Sequence, residues 1–253
     1  MKIKIMTFNL RTDTPVDGIN KFTERTDRVR EAIFNEEPDL IGFQEAKDGM
    51  REWLRETLKD YCVLGCGRDK NYYGESTVVA VKKNKFEILS MDNFWLSTDT
   101  EKPGSRFGID QSSCPRITTC VRLYNKEISE PFWFYNTHLD HKGSTARLLG
   151  STALMHDIAL RTRGEKYVLT GDFNATPEAR EIEFIVNAGA SDMTGKLGGT
   201  FHGFGKLTDK IKIDYIFTNA DYAEEESYVI EDTPVNGVYI SDHNPVCGTI
   251  VLN

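Results

Sequence analysis

The stretch YVLTGDFNATPE (Tyr167–Glu178) joins an apolar run to a polar end, and then to a turn ahead of Pro177. An apolar run that stops on Asp or Asn reads as a buried strand delivering a polar side chain to the rim of a sheet. Gly171 lets the backbone come close to a ligand. Asp172 and Asn174, two apart, point to the same side of an extended chain. A carboxylate and a carboxamide there suit an oxygen-rich site: one accepts or activates a water, the other donates N–H to a phosphoryl oxygen. Taken alone, the same residues also describe an Asx turn leading into a helix.

Four further signatures end apolar runs in the same way: TFNLR (Thr7–Arg11), QEA (Gln44–Ala46), NTHLDH (Asn136–His141) and SDHNPV (Ser241–Val246). Together they gather carboxylates, carboxamides and histidines, the makings of a hard-metal site with a base beside it. Glu45 is the natural metal ligand, and Asn9 would orient it or bind the metal through water. Asp242 cannot easily orient its neighbour His243, because adjacent side chains diverge, so it reads as an outer metal or water ligand. His243 is the general base, or holds charge developing on the phosphate. A carboxylate must then fix its other nitrogen, and Asp214 in KIDY is the candidate. His138 and Asp140 share a strand face with Asn136, and His138 can donate to a nonbridging phosphate oxygen. A zinc site from His138, Asp140 and His141 is the alternative, but the lack of nearby Cys and the surplus of oxygen donors favour Mg²⁺ or Mn²⁺. His156 and His202 have no comparable context.

Working outward, strands are expected over Lys2–Leu10, Leu40–Phe43, Val63–Cys66, Ser76–Val81, Phe86–Leu96, Arg116–Leu123, Pro131–Thr137, Tyr167–Leu169, Ile211–Phe217 and Val246–Leu252. Helices are expected after an Asn20 cap, over Met50–Leu58, along Ala146–Leu160 and over Glu178–Ala188. Strands crowd the middle while helices separate strands in both halves, which points to two sheets packed face to face with helices outside. A doubly wound sheet would need more regular alternation.

The 253 residues show no Pro-, Gly- or Ser-rich break and no internal repeat, and 39% are hydrophobic, so one domain spanning 1–253 with a sizeable core is expected. The net charge of −8, with no Lys/Arg run, disfavours a grip on long duplex nucleic acid. Five cysteines at irregular spacing read as reduced thiols. Met1–Leu10 lacks the marks of a signal peptide and no run is long enough for a bilayer. A cytoplasmic monomer is therefore the expectation, or a secreted one if a leader has been removed.

The five signatures, in order from Asn9 to His243, resemble the endonuclease/exonuclease/phosphatase superfamily, with GDFN and SDHNPV the most specific. NTHLDH is similar to the sphingomyelinase and deadenylase branches; the apurinic branch usually carries Tyr where His138 stands. The resemblance implies a four-layer α/β sandwich, in agreement with the layers above. It assigns Asn9 and Glu45 to the metal, Asp172 and Asn174 to the water and phosphate, and Asp214 to His243. It also places Asp242 beside the metal and His138 on the phosphate. Arg116 and Arg147 could reach a phosphate or brace surface carboxylates. The implied chemistry is in-line attack of water on phosphorus. A phosphodiesterase acting on a short nucleic acid or small metabolite ranks first. A phosphomonoesterase for a sugar or inositol phosphate is second, and a silent binding module with the same fold third. Specificity is expected in Gly67–Glu75, with Tyr72 and Tyr73, and in Ser97–Pro115, with Phe107, although packing is the favoured reading of those aromatics.

Overall fold

The computed structural model describes residues 1–253. Twelve strands follow in chain order: β1 (Lys2–Asn9), β2 (Leu40–Ala46), β3 (Tyr61–Leu64), β4 (Ser76–Lys82), β5 (Glu87–Trp95), β6 (Ile117–Tyr124), β7 (Phe132–His138), β8 (Lys166–Asp172), β9 (Ser191–Asp192), β10 (Asp214–Thr218), β11 (Asp221–Val229) and β12 (Val246–Val251). Helices are α1 (Phe22–Glu36), α2 (Asp48–Thr57), α3 (Ser144–Thr162) and α4 (Arg180–Asn187), with a short 3₁₀ segment at Pro15–Asn20. One sheet has the order β11-β12-β1-β2-β4-β3 and the other β5-β6-β7-β8-β10-β9. Both are mixed: β1 runs parallel to β2 and β7 parallel to β8, while the remaining pairs are antiparallel.

Strand alternation builds the layers. In β1, Ile3 and Ile5 face the other sheet, where they pack with Val121, Phe134, Val168 and Ile216, whereas Met6 and Phe8 face outward onto Val29 and Ile33 of α1. On the opposite outer face, Tyr135 and Leu169 pack against Leu154, Ile158 and Ile182 of α3 and α4. The result is a four-layer α/β sandwich, because each sheet buries one face against its partner and one against helices.

Several boundaries depart from expectation. Asn20 does not cap α1. The N-cap is Lys21, without a side-chain bond, and the Asn20 side chain instead accepts the Tyr239 N–H at 2.8 Å. Leu160, expected on the inner stripe of α3, is exposed. The strand expected at Ile211 begins only at Asp214, because Ile211 sits in an isolated bridge with Phe201. β11 was not foreseen; it is a mostly solvent-facing edge strand carrying Glu224, Glu225 and Glu226 in place of apolar alternation. Tyr72 packs edge-on against Trp95 at 5.9 Å and Phe107 lies against the outer core, whereas Tyr73 is exposed.

Candidate active site

The inward face of the central strands changes character toward one end of the sandwich. Along β1 it runs Ile3, Ile5, Thr7, Asn9; along β7, Phe134, Asn136, His138; along β8, Val168, Thr170, Asp172. Because β1/β2 and β7/β8 are parallel, these polar ends share one rim. His138 pairs with Asp172, and Asp214, at the start of the antiparallel β10, pairs with Asp172 as well. Just beneath, a buried polar seam joins the sheets. Gln44 Nε2 donates to Asn136 Oδ1 at 2.6 Å and to Thr7 Oγ1 at 3.1 Å, and the Asn136 amide donates to the carbonyls of Phe43 and Val78.

Asn9 is the hub of the cluster. Its amide donates to Asp172 Oδ2 at 2.9 Å and to Glu45 Oε1 at 3.3 Å, and lies 3.5 Å from His243 Nε2. Glu45 would point to the outer face in a regular strand, since Phe43 does. A register shift between Phe43 and Ala46 and a left-handed φ of 63° at Glu45 turn it into the site, where Oε2 accepts the Thr12 N–H at 2.8 Å. Asn174 also has a left-handed φ, 48°, and its N–H donates to Asp172 Oδ1 at 2.9 Å while its amide lies 3.0 Å from His138 Nε2. His243 Nδ1 donates to Asp214 Oδ2 at 2.8 Å, and the same oxygen accepts the Thr200 hydroxyl at 2.5 Å. Phe201 lies against the His243 ring, with centroids 4.8 Å apart. The imidazole is therefore fixed at Nδ1 and presents Nε2 to the cleft.

Electrostatics follow from this packing. Burial opposes protonation of His243, but Asp214, Asp172 and Asp242 outweigh it and raise the ring to about 10. Burial, then Asp214, pushes Asp172 up to about 7. Asp242 is raised by burial and by Glu45. Glu45 is held below its usual range despite burial, by the Thr12 N–H and by His243. His138 is held neutral by burial and by Arg116 and Arg68 nearby.

The cleft has a volume of about 310 Å³ and is lined by the carboxylates of Glu45, Glu75, Asp172 and Asp242 together with Arg68, Arg116 and His141. Arg116 is almost fully buried: its Nη2 lies 2.8 Å from His141 Nδ1 and its Nε pairs with the Asp140 carboxylate at 3.5 Å, while Nη1 has no hydrogen-bond partner. Two other expected substrate contacts lie elsewhere. Arg147 pairs with Glu181 and donates to the Asp140 carbonyl at 3.2 Å, so it braces α3 against α4 and does not line the cleft. The Asp140 carboxylate accepts the N–H groups of Ser112, Lys142 and Gly143, which holds a loop together and removes it from any zinc set with His138 and His141. Arg68 and Glu75 enter from the Gly67–Glu75 loop expected to carry specificity, although neither residue is singled out by the sequence, and Thr200 and Phe201 join the site unforeseen from a loop with no periodicity. Arg11, within TFNLR, also lines the cleft and pairs with Asp17 at 2.9 Å.

The donor set fits a divalent cation. Glu45, His138 and Asp172 offer ligand atoms within 4.8 Å of one another. Asp172 and Asp242 are buried carboxylates with raised proton affinity and few donors, a deficit that positive charge relieves.

A four-layer sandwich whose central strands deliver carboxylates, amides and a carboxylate-held histidine to one rim defines a class of hydrolytic domains. The chain belongs to the endonuclease/exonuclease/phosphatase family, whose sequence model matches residues 6–243; members are generally phosphoesterase hydrolases and generally use divalent metals. A family member from Bacteroides vulgatus is 31% identical, with a TM-score of 0.89 and 100% of both chains covered. A mannosyl-6-phosphatase from Bacteroides thetaiotaomicron is 25% identical, with a TM-score of 0.85 over 99% of this chain and 100% of its own. TDP2 from D. rerio, solved with a single-strand DNA product, shares the fold at 17% identity and a TM-score of 0.77, over 99% of each chain.

Proposed function

We propose that the protein is a divalent-metal-dependent phosphomonoesterase acting on a small phosphorylated metabolite. The observation that carries this reading is Arg116: a nearly buried guanidinium in the cleft lining, 3.5 Å from Asp140 at Nε and grouped with Arg68, His138 and His141. Guanidinium and imidazole groups gathered in a desolvated lining suit a dianionic phosphoryl group. The likeness to the mannosyl-6-phosphatase supports a monoester, and the net charge of −8 argues against a polyanionic substrate. The monoester therefore stands ahead of the diester that sequence alone ranks first.

Glu45 and Asp172, with Asn9 and Asp242 beside them, would hold Mg²⁺ or Mn²⁺. The bound cation supplies neutralisation of charge building on the phosphoryl and leaving-group oxygens. Asp172, oriented by the Asn9 amide and the Asn174 N–H, holds the attacking water and takes its proton. His243, held by Asp214, donates from Nε2 to the phosphoryl group. Asn174 and His138 position a nonbridging oxygen.

The test compares hexose 6-phosphates, p-nitrophenyl phosphate and bis-p-nitrophenyl phosphate, each with Mg²⁺, Mn²⁺ or EDTA. Phosphate release from the monoesters, silenced by EDTA and restored by metal, is expected. Cleavage confined to the diester would restore the phosphodiesterase reading, and inactivity on all three with metal would favour a binding module.

A further inference from the structure

We propose that His141 is a specificity residue, whose Nε2–H donates to an oxygen of the substrate's alcohol portion at the mouth of the cleft. This rests on the phosphoesterase reading above, and it names an uncharged, oxygen-bearing alcohol as the part of the substrate that the protein selects.

Position supplies the first argument. The buried end of the cleft holds His138, Asp172 and His243, each at most 7% exposed, and phosphoryl chemistry belongs there. Of the residues that line the cleft, His141 alone is exposed. A substrate with its phosphoryl group among the buried side chains must point its alcohol outward, past His141.

The donor state follows from one contact. A guanidinium has only donors, so Arg116 Nη2, 2.8 Å from His141 Nδ1, donates to it. Nδ1 is then unprotonated, and the neutral ring carries its hydrogen on Nε2. Burial, then Arg116, lowers the proton affinity of the ring and keeps it in this state. Such an imidazole is no general acid, because giving up its only N–H would leave an imidazolate. It lends a hydrogen bond, and a neutral donor suits a hydroxyl or ether oxygen. The buried Arg116 and His138 are the groups placed for phosphoryl oxygens.

The donor is also held in place. The carboxylate of Asp140, the preceding residue, accepts N–H groups from Ser112 at 3.1 Å, Lys142 at 3.0 Å and Gly143 at 2.9 Å. Its carbonyl accepts from Arg147 at 3.2 Å. The backbone on both sides of His141 is therefore pinned, and Arg116, itself 3.5 Å from the Asp140 carboxylate, fixes the ring. A donor fixed in advance loses little freedom on binding.

The experiment measures kcat and KM for a hexose 6-phosphate and for ethyl phosphate in wild type, His141→Ala and His141→Gln, with Mg²⁺ present. Both esters share the phosphoryl chemistry, but only the hexose has ring and hydroxyl oxygens beyond the bridging one. In wild type the hexose ester is preferred. In His141→Ala its kcat/KM falls roughly three- to tenfold more than that of ethyl phosphate, mainly through KM, the scale of one hydrogen bond. His141→Gln, which keeps an N–H donor on a side chain of similar reach, recovers most of the preference. Inhibition by inorganic phosphate, which has no alcohol portion, changes by less than about twofold in His141→Ala. A wild type without the preference, equal losses on both esters, a parallel loss of phosphate inhibition, or no recovery with Gln would overturn the assignment while leaving metal-dependent monoester hydrolysis standing. Wild-type protein inactive on both esters would strike the underlying reading instead.

Discussion

Replacing Arg25 should damage stability and catalysis together. This arginine of α1 is fully buried, and its guanidinium donates to three carbonyls: Asn20 at 2.6 Å, Ile240 at 2.6 Å and Arg11 at 3.0 Å. Phe22 and Phe204 flank it, at 5.5 and 5.8 Å from its Cζ. Burial lowers it to about 10, which leaves it charged at neutral pH. Arg25→Met keeps the bulk and strips the donors. An unsatisfied buried carbonyl costs roughly 1–3 kcal/mol, and water relieves part of this where the acceptor is half-exposed. Ile240 is buried while Arg11 and Asn20 are half-exposed, so the net loss should be about 3–5 kcal/mol. At ~2–4 °C per kcal/mol for a chain of this size, Tm should fall by roughly 6–20 °C. Two of the clamped carbonyls, those of Arg11 and Ile240, sit two residues from Asn9 and from Asp242, so kcat should also fall, by at least about tenfold, since misplaced site groups cost heavily. Arg25→Lys should resemble the Met variant, because a point charge cannot serve three divergent acceptors. Scanning fluorimetry and steady-state kinetics on both variants decide the matter. A Tm within 2 °C of wild type, with kcat unchanged, would refute the clamp.

Other expectations are shorter to state. Asp214→Asn should cut kcat by about 10²–10⁴-fold with Tm little changed, because the carboxylate that orients His243 and keeps it protonated is lost while the shape is kept; a rate within a factor of three removes the pair from the mechanism. Gly42→Ala should destabilise by at least about 1–3 kcal/mol in a urea titration, the range for overpacking. A Cβ there would lie 2.2 Å from Thr170 Oγ1 and 2.6 Å from Asn136 Oδ1, so wild-type stability would mean the seam is loose. Asp140 is held well below its usual range: burial opposes this, but the N–H groups of Gly143 and Ser112 and the Ser112 hydroxyl outweigh it. Its folded value is depressed, so its stabilisation is present above the unfolded value of about 4 and is lost as pH falls below that. Asp140→Asn should therefore flatten the stability–pH curve below about pH 4, and parallel curves for the two proteins would refute the anchor.

What the sequence made legible has a physical basis. Asn9, His138, Asp172 and Asp214 could be read because each ends or begins an inward-facing series in a strand, and period-two alternation is local information. Glu45 could be read as a candidate ligand, but not how it reaches the cleft, because its direction depends on a bulge and a left-handed φ that no apolar pattern encodes. For Arg147 the sequence leaves a phosphate and a carboxylate brace both open, and for Asp140 it offers only a strand face shared with His138. Their partners, Glu181 and the Ser112–Gly143 loop N–H groups, are tertiary neighbours that sequence spacing cannot supply. The same limit hid Arg25, which in sequence looks like one more charge on a mixed helix face.

One consequence of the alternation binds fold to function. The inward positions that carry Ile3, Phe134 and Val168 into the inter-sheet core continue, two residues at a time, into Asn9, His138 and Asp172. A one-residue slip of β1 or β8 would send an apolar set to the helix-packed face and would swing the site carboxylate or amide away from its partners. Register is thus specified twice, by core burial and by the Gln44–Asn136 seam that locks the sheets just below the cleft. The seam has a further effect. Thr7, Gln44, Asn136 and Thr170 leave no apolar layer between the core and the carboxylates, so the site groups are held by hydrogen bonds of defined length and direction. Hydrophobic contacts would permit the sheets to slide, whereas directional hydrogen bonds across the seam favour one alignment, which a site built from both sheets requires.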